Sequence, residues 1–331
     1  MSFENIIGQK EIIDTLKHAV STGRIGHACV FTGPRGIGKR TIAAGYAGLL
    51  LCEAGNGEEE CGRCRACMLY KSGSNPDFKI ISTDSAAIGV DEIRDMQHDV
   101  TIRPMYSKRK VYIIEDADKM TAQAQNCLLK TLEEPPEYVV IILTVSNYDA
   151  LLETIRSRVI RYSFKKNTYE EVCRAIDNKF KGKEENKAFA VSFADGVIGT
   201  ALELAGEGTI QELRDKTFSL LEKMHNFKLY EIFAQYPFFE DNKEDIDAIL
   251  TIMSMYYRDI MVQKETRSEK MLINSDKKDI IIRNAPVFSV RSLLHNIGIV
   301  ESARRDIKQN ANYQLSIEHM LIKLQEEPIN G

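Results

Sequence analysis

The run Val139-Val-Ile-Ile-Leu-Thr-Val145 is an unbroken apolar stretch of β-branched and aliphatic residues. A strand with one wet face alternates apolar and polar residues, whereas an unbroken run has both faces covered, as in a parallel sheet between helical layers. Four shorter runs read the same way: His27-Ala-Cys-Val-Phe-Thr32, Phe78-Lys-Ile-Ile81, Lys110-Val-Tyr-Ile-Ile114 and Val159-Ile-Arg-Tyr-Ser-Phe164. Helices are expected between them at about 39–52, 90–102, 121–133 and 149–157. The third ends at Glu133-Glu-Pro-Pro136 because proline cannot continue a helix. Such alternation predicts a doubly wound α/β domain over residues 1–164.

After Phe164 the β signal fades. Residues 165–207 read as a small helical unit with turns at Lys181-Gly-Lys183, Gly196 and Gly199. Residues 208–331 read as long amphipathic helices. Ile210, Leu213, Thr217, Leu220, Leu221 and Met224 fall on one helical face, and 244–263, 287–308 and 312–326 repeat the pattern. A charge of −4 over 331 residues argues against binding nucleic acid by bulk charge. The longest apolar run is far short of the ~20 residues that span a bilayer. No targeting segment is read at the N-terminus, and seven cysteines without one suit a reducing compartment, so a cytoplasmic location is expected.

Gly33-Pro-Arg-Gly-Ile-Gly38-Lys39 follows the first strand and opens a helix. In that setting Gly33, Gly36 and Gly38 let backbone N–H groups curl around phosphates, and Lys39 neutralises them. The next residue supplies a Mg²⁺-binding hydroxyl in working phosphate loops. Here it is Arg40, with Thr41 one place late and turned ~100° around the helix. The acidic strand end reads Glu115-Asp116, the reverse of the usual order. A misplacement of ~1 Å can cost about 100-fold in rate, so efficient hydrolysis is not expected, while phosphate binding stays open.

Cys52, Cys61, Cys64 and Cys67 form a second cluster. Two C-x2-C steps suit tetrahedral thiolate coordination, and four ligands leave no open position, so structural Zn²⁺ is the first reading. An iron–sulfur cluster, a redox pair or free thiols are the alternatives. Cys29, Cys127 and Cys173 stand alone in apolar patterns and are expected in the core.

The order of motifs resembles the clamp-loader branch of the AAA+ ATPases. It runs Phe3-Glu-Asn-Ile-Ile-Gly-Gln9, the glycine loop, four cysteines, the acidic strand end, Leu128-Leu-Lys-Thr-Leu-Glu-Glu-Pro-Pro136 and Ser157-Arg158. The resemblance implies a RecA-like domain, a helical lid over 165–207 and a helical collar over 208–331. It implies that Arg158 is an arginine finger acting on a neighbouring subunit's ATP, although the family's Cys after Ser-Arg is Val159 here. The family's second sensor arginine is not evident in Gly199-Thr-Ala-Leu202, and Thr144 and Asn147 fall at the first sensor or are strand-end caps. Departures at Arg40 and Glu115-Asp116 suit a rigid subunit with a degenerate ATP site. The alternative is an ATP·Mg²⁺-hydrolysing motor of the gamma/tau type; a zinc-containing P-loop adaptor outside replication is a third class. The partners implied are gamma/tau and delta subunits, the sliding clamp and, through the complex, primer-template DNA, with no membrane. Lys108-Arg-Lys110 and Lys165-Lys166 read as solvated basic clusters, with DNA contact the lesser reading.

Overall fold

The computed structural model describes residues 3, 6–55, 57–83, 87–180, 187–206, 209–224 and 227–326. The expected turn at Lys181-Gly-Lys183 lies outside them, as do Glu4 and Asn5 of the N-terminal motif. In chain order the elements begin α1 (Lys10–Ser21), β1 (Ala28–Thr32), α2 (Lys39–Leu51), α3 (Arg65–Lys71), β2 (Phe78–Ile81) and α4 (Val90–Val100). They continue β3 (Lys110–Ile114), α5 (Ala122–Glu133), β4 (Val139–Val145), α6 (Glu153–Arg156) and β5 (Ile160–Ser163). Then come α7 (Tyr169–Lys179), α8 (Lys187–Ala194), α9 (Ile198–Gly206), α10 (Thr209–Met224), α11 (Leu229–Phe233) and α12 (Tyr236–Asp241). The last four are α13 (Ile246–Thr266), α14 (Lys278–Asn284), α15 (Val290–Lys308) and α16 (Tyr313–Glu326).

Contacts divide the chain into two compact units, residues 1–174 with 196–199 and residues 175–195 with 200–331. In the first unit all five expected strands form one sheet in the order β2-β3-β4-β1-β5, and every pairing is parallel. β1, β3 and β4 are buried along their whole length, as unbroken apolar runs require. Phe31, Val111, Ile113 and Ile142 pack on the α1/α2 side, and Val30, Tyr112, Ile141 and Leu143 on the α4/α5 side. The chain leaves β1 for the far edge at β2 and returns from β4 to β5 across β1, so the connections diverge at the carboxyl ends of β1 and β4. Open α/β sheets bind ligands at such a divergence. This is the RecA-like P-loop architecture that the motif order implies.

The second unit is helical among its described residues. Leu213, Leu220, Leu221 and Met224 of α10 are buried against Ile249, Ile252, Met253 and Tyr256 of α13 and Leu293 and Val300 of α15. No helix of the described residues is long and apolar enough to cross a membrane.

Several local expectations change. The helix expected at 149–157 divides into a 3-10 turn at Tyr148–Ala150 and the short α6. Leu151 is buried between them, and the Leu152 N–H donates to Gln125 Oε1 at 2.8 Å, so a side chain takes the place of the helical acceptor. Gly199 lies inside α9 and makes no turn, whereas Gly196 does lie in a turn. Lys110 is neither solvated nor free for DNA: it is buried, donating to Asp99 O at 2.8 Å and meeting Asp99 Oδ2 at 3.0 Å. Lys165 fits the solvated reading and pairs with Glu11 at 3.0 Å. Of the three lone cysteines Cys29 is buried, while Cys127 and Cys173 are half-buried, the Cys127 thiol donating to Gln97 Oε1 at 3.1 Å.

Candidate nucleotide site and metal centre

The glycine loop joins β1 to α2 at the divergence point. Gly38 caps α2 with φ 103°, a conformation that a side chain strains. Lys39 is buried and its ammonium turns back into the loop: Nζ donates to Gly33 O at 2.6 Å, Pro34 O at 2.9 Å and Ser146 Oγ at 3.3 Å. An ammonium has three N–H donors, so a phosphate must displace one of these bonds. Burial pushes the Lys39 pKa down, opposed by the nearby charges of Asp116 and Asp118.

Arg40 is 73% exposed, and its Nε meets Glu115 Oε1 at 2.8 Å. The residue in the hydroxyl's place is therefore paired with the first acid of the strand end. Burial raises the Glu115 pKa and Arg40 opposes that rise. Thr41 is exposed on the next position of α2.

The other acids are engaged too. Asp116 adopts φ 49°, its N–H donates to Thr144 Oγ1 at 3.1 Å, and its carboxylate pairs with Lys119 at 3.1 Å. Asp118 Oδ2 accepts from the Ser146 and Asn147 N–H groups at 3.2 and 3.0 Å. Thr144 thus braces the end of β3, and Asn147 Oδ1 accepts from Asp149 N–H at 3.1 Å, capping the 3-10 turn Tyr148–Ala150.

Sequence reasoning gave no role to Asp118, Ser146 or the backbone of Gly199. The Gly199 N–H donates to Gly36 O at 2.9 Å, and a Cβ there would lie 2.7 Å from that oxygen and 2.8 Å from Gly36 Cα. The segment whose arginine was sought on the second sensor instead lays bare backbone against the phosphate loop. The usable signal was a glycine where a long cation was expected.

The four cysteines come together. Their sulfurs all lie within 4.8 Å of one another, close enough for one metal ion. Cys52 ends α2, Cys64 caps α3 and Cys67 lies in its first turn. The N–H groups of Cys61, Cys64 and Cys67 donate to the sulfurs of Cys52, Cys61 and Cys64 at 3.3, 3.4 and 3.4 Å. Amide donors aimed at sulfur favour thiolates, which is the state a metal needs. The backbone N–H groups of Arg63 and Cys64 draw the Cys61 pKa down to about 6, while burial raises those of Cys52 and Cys67. Four sulfurs on two helix ends and a short loop fit a closed structural site.

Arg158 stands between α6 and β5. Its Nη1 donates to Thr154 O at 2.8 Å and Ser157 Oγ at 3.2 Å, and its Nη2 pairs with Glu133 Oε1 at 2.9 Å, with 36% of the side chain exposed. Glu133 closes α5, in the Leu128–Pro136 motif. The structure therefore gathers the glycine loop, Lys39, Arg40, Glu115 and Asp116 into one region and the four cysteines into another, while Arg158 bonds to Thr154, Ser157 and Glu133.

Two family models for DNA polymerase III, delta subunit, match: one over residues 8–168, and one for the C-terminal part over 211–326. The delta' subunit of DNA polymerase III from Bacillus subtilis is 30% identical over 324 residues, 96% of each chain. The tau subunit from the same organism is 28% identical over 97% of this chain, which spans 61% of the length of tau. The backbone also overlays a gamma-subunit-related protein of Thermotoga maritima with TM-score 0.45 and 20% identity, over 95% of this chain and 98% of that one. Identity along nearly the whole of both chains decides the matter: this chain belongs to the delta-prime family of DNA polymerase III clamp-loader subunits.

Proposed function

We propose that this chain helps load the sliding clamp onto primed DNA in replication, as the delta-prime-type subunit of a bacterial loader. It donates Arg158 to a neighbouring ATPase subunit and does not fire its own degenerate site. The observation that carries the reading is the Arg40–Glu115 pair. A guanidinium stands where a hydroxyl is needed, and it already neutralises the acid that a Mg²⁺ site would use. Lys39, bound to the loop's own carbonyls, supports the same reading.

Arg158 suits a finger in trans because its present bonds are at the surface. Exposed ion pairs are worth about 0–1 kcal/mol, so exchanging Glu133 for a phosphate costs little. A finger contributes about 10³–10⁵ in rate. Cys52, Cys61, Cys64 and Cys67 would hold a structural Zn²⁺ that braces the α2–α3 connection. Residues 165–207 serve as lid and 208–331 as collar. The partners are gamma/tau and delta subunits, the sliding clamp and, through the complex, primer-template DNA, all in the cytoplasm.

The test is DNA- and clamp-stimulated ATPase of the reconstituted loader. Arg158→Ala is expected to lower the rate by about 10³-fold, and Lys39→Ala in this chain to leave it unchanged. The second reading, a gamma/tau-type motor, is favoured by the identity to tau and by the retained glycines and Lys39. Loss of ATPase with Lys39→Ala and not with Arg158→Ala would establish it.

A further inference from the structure

A cavity of about 460 Å³ opens in the first unit on the α2 side of the sheet, over β2 and β3. Its origin is topological. β2 is the edge strand, and the short α3 packs Tyr70 on its Phe78. The floor is Ile80 and Ile113, which are register partners, with Phe78 two residues back on the same face of β2. Ile80 is 41% exposed as a consequence. Ala44 of α2 and Tyr70 of α3 form the walls; Tyr70 is fixed by a 2.7 Å hydrogen bond to Ala44 O and an edge-on contact with Phe78 at 4.8 Å. Thr41, the two cations Arg40 and Lys71, and one acid, Glu115, complete the lining. Arg40 meets Glu115 through Nε, which leaves that acid neutralised and Lys71 the surplus charge.

We infer that this cavity is a binding site for a small amphipathic anion, with an aromatic or branched apolar body and one acidic group. Pockets of about 300–1,000 Å³ with apolar walls and a few polar groups are the usual form of small-molecule sites. The apolar body rests on Ile80, Ile113 and Phe78 and against the Tyr70 ring, and the acidic group reaches Lys71 and the outer face of Arg40. This site borders the phosphate loop, sharing Arg40, Thr41 and Glu115 with the candidate nucleotide site, and does not depend on the clamp-loader reading.

The test uses 8-anilinonaphthalene-1-sulfonate and its uncharged parent N-phenyl-1-naphthylamine as probes, with the full chain labelled at the isoleucine δ1 methyls. The sulfonate is expected to shift Ile80 and Ile113 and to leave Ile252 and Ile281 of the helical unit unmoved. It should bind about fivefold more tightly than the uncharged probe, the size of one exposed charge contact. Lys71→Met should remove that difference without disturbing the fold, and Ala44→Phe should fill the cavity and abolish both sets of shifts. Silence at Ile80 and Ile113 up to millimolar probe, or equal shifts throughout the chain, overturns the site. Equal affinity for the two probes overturns the anion. Should those methyls move only when partner subunits are added, the cavity is a protein-docking surface and the small-anion assignment falls.

Discussion

Arg40 and Arg214 each hold one carboxylate, yet the regions around them are built in opposite ways. Arg40 is 73% exposed, touches Glu115 through one nitrogen, and stands beside a loop whose lysine and acids are tied to local partners. Arg214, on α10, is fully buried. Its Nη atoms grip both oxygens of Asp276 at 2.9 and 2.6 Å, its Nε donates to Asn274 at 3.0 Å, and its guanidinium carbon lies 4.1 Å from the centre of the Phe189 ring. Asn274 in turn donates to the buried Asp259, which also accepts from Arg258 at 2.6 Å. The helical unit thus uses a continuous, satisfied polar chain inside an apolar core. The sheet unit also pairs a buried lysine, Lys110, with Asp99, but around the glycine loop its ion pairs reach the surface, and four sulfurs gather at its α2–α3 connection. Ions in the first case hold the fold; in the second they decide what chemistry the loop can do.

Metal removal tests this contrast hardest. Structural zinc in small peptides is worth about 10–16 kcal/mol, so a chelator is expected to strip hydrogen-exchange protection from the α3 amides. The amides of α10 and α13 should keep theirs. Joint loss would mean that the two units do not have separate sources of stability. Next in size is Arg214→Ala, expected to cost about 3–5 kcal/mol in urea unfolding, because it strands Asp276 and empties the face of Phe189. A cost below about 1 kcal/mol would show that the buried chain of polar groups is ornamental.

The sequence made one of these regions far more legible than the other. Apolar runs located all five strands, though only β1, β3 and β4 are fully buried, and cysteine spacing located the four-sulfur cluster because short-range ligand sets need no knowledge of the fold. Arg40 stood out against a known local pattern. Arg214 had no such pattern: it lies beside Leu213 on a helical stripe, and its partners Asn274 and Asp276 are 60 and 62 residues away. Pairing across that distance is set by helix packing, which periodicity does not encode. The break at Leu151 was hidden for a related reason, since the acceptor that stops the helix belongs to Gln125.

Gly199→Ala gives a middle-sized effect on the sheet side. The added carbon would lie 2.7 Å from Gly36 O, so loop or helix must shift, at a cost of about 1–3 kcal/mol. Equal stability of the variant would show that the contact yields freely and that the phosphate loop is not braced there.

The smallest expected effect is that of Arg40→Ala, and its pH dependence carries the information. Burial holds the folded-state pKa of Glu115 above its unfolded value, and Arg40 works against that rise. A raised carboxyl pKa means the folded chain binds the proton more tightly, so stability falls as pH climbs from the unfolded toward the folded pKa and the penalty persists above it. Removing Arg40 lifts the folded pKa further and enlarges the penalty at neutral pH. With Arg40 mostly exposed, the loss at pH 7 should be no more than about 1 kcal/mol, and it should close as the pH drops and Glu115 takes up its proton in both proteins. Urea titrations of the two proteins across that range measure the gap. A gap that stays constant into acid would place the role of Arg40 in packing along α2; one that closes would leave the pair an electrostatic device beside the phosphate loop, dispensable to the fold in a way that Arg214 is not.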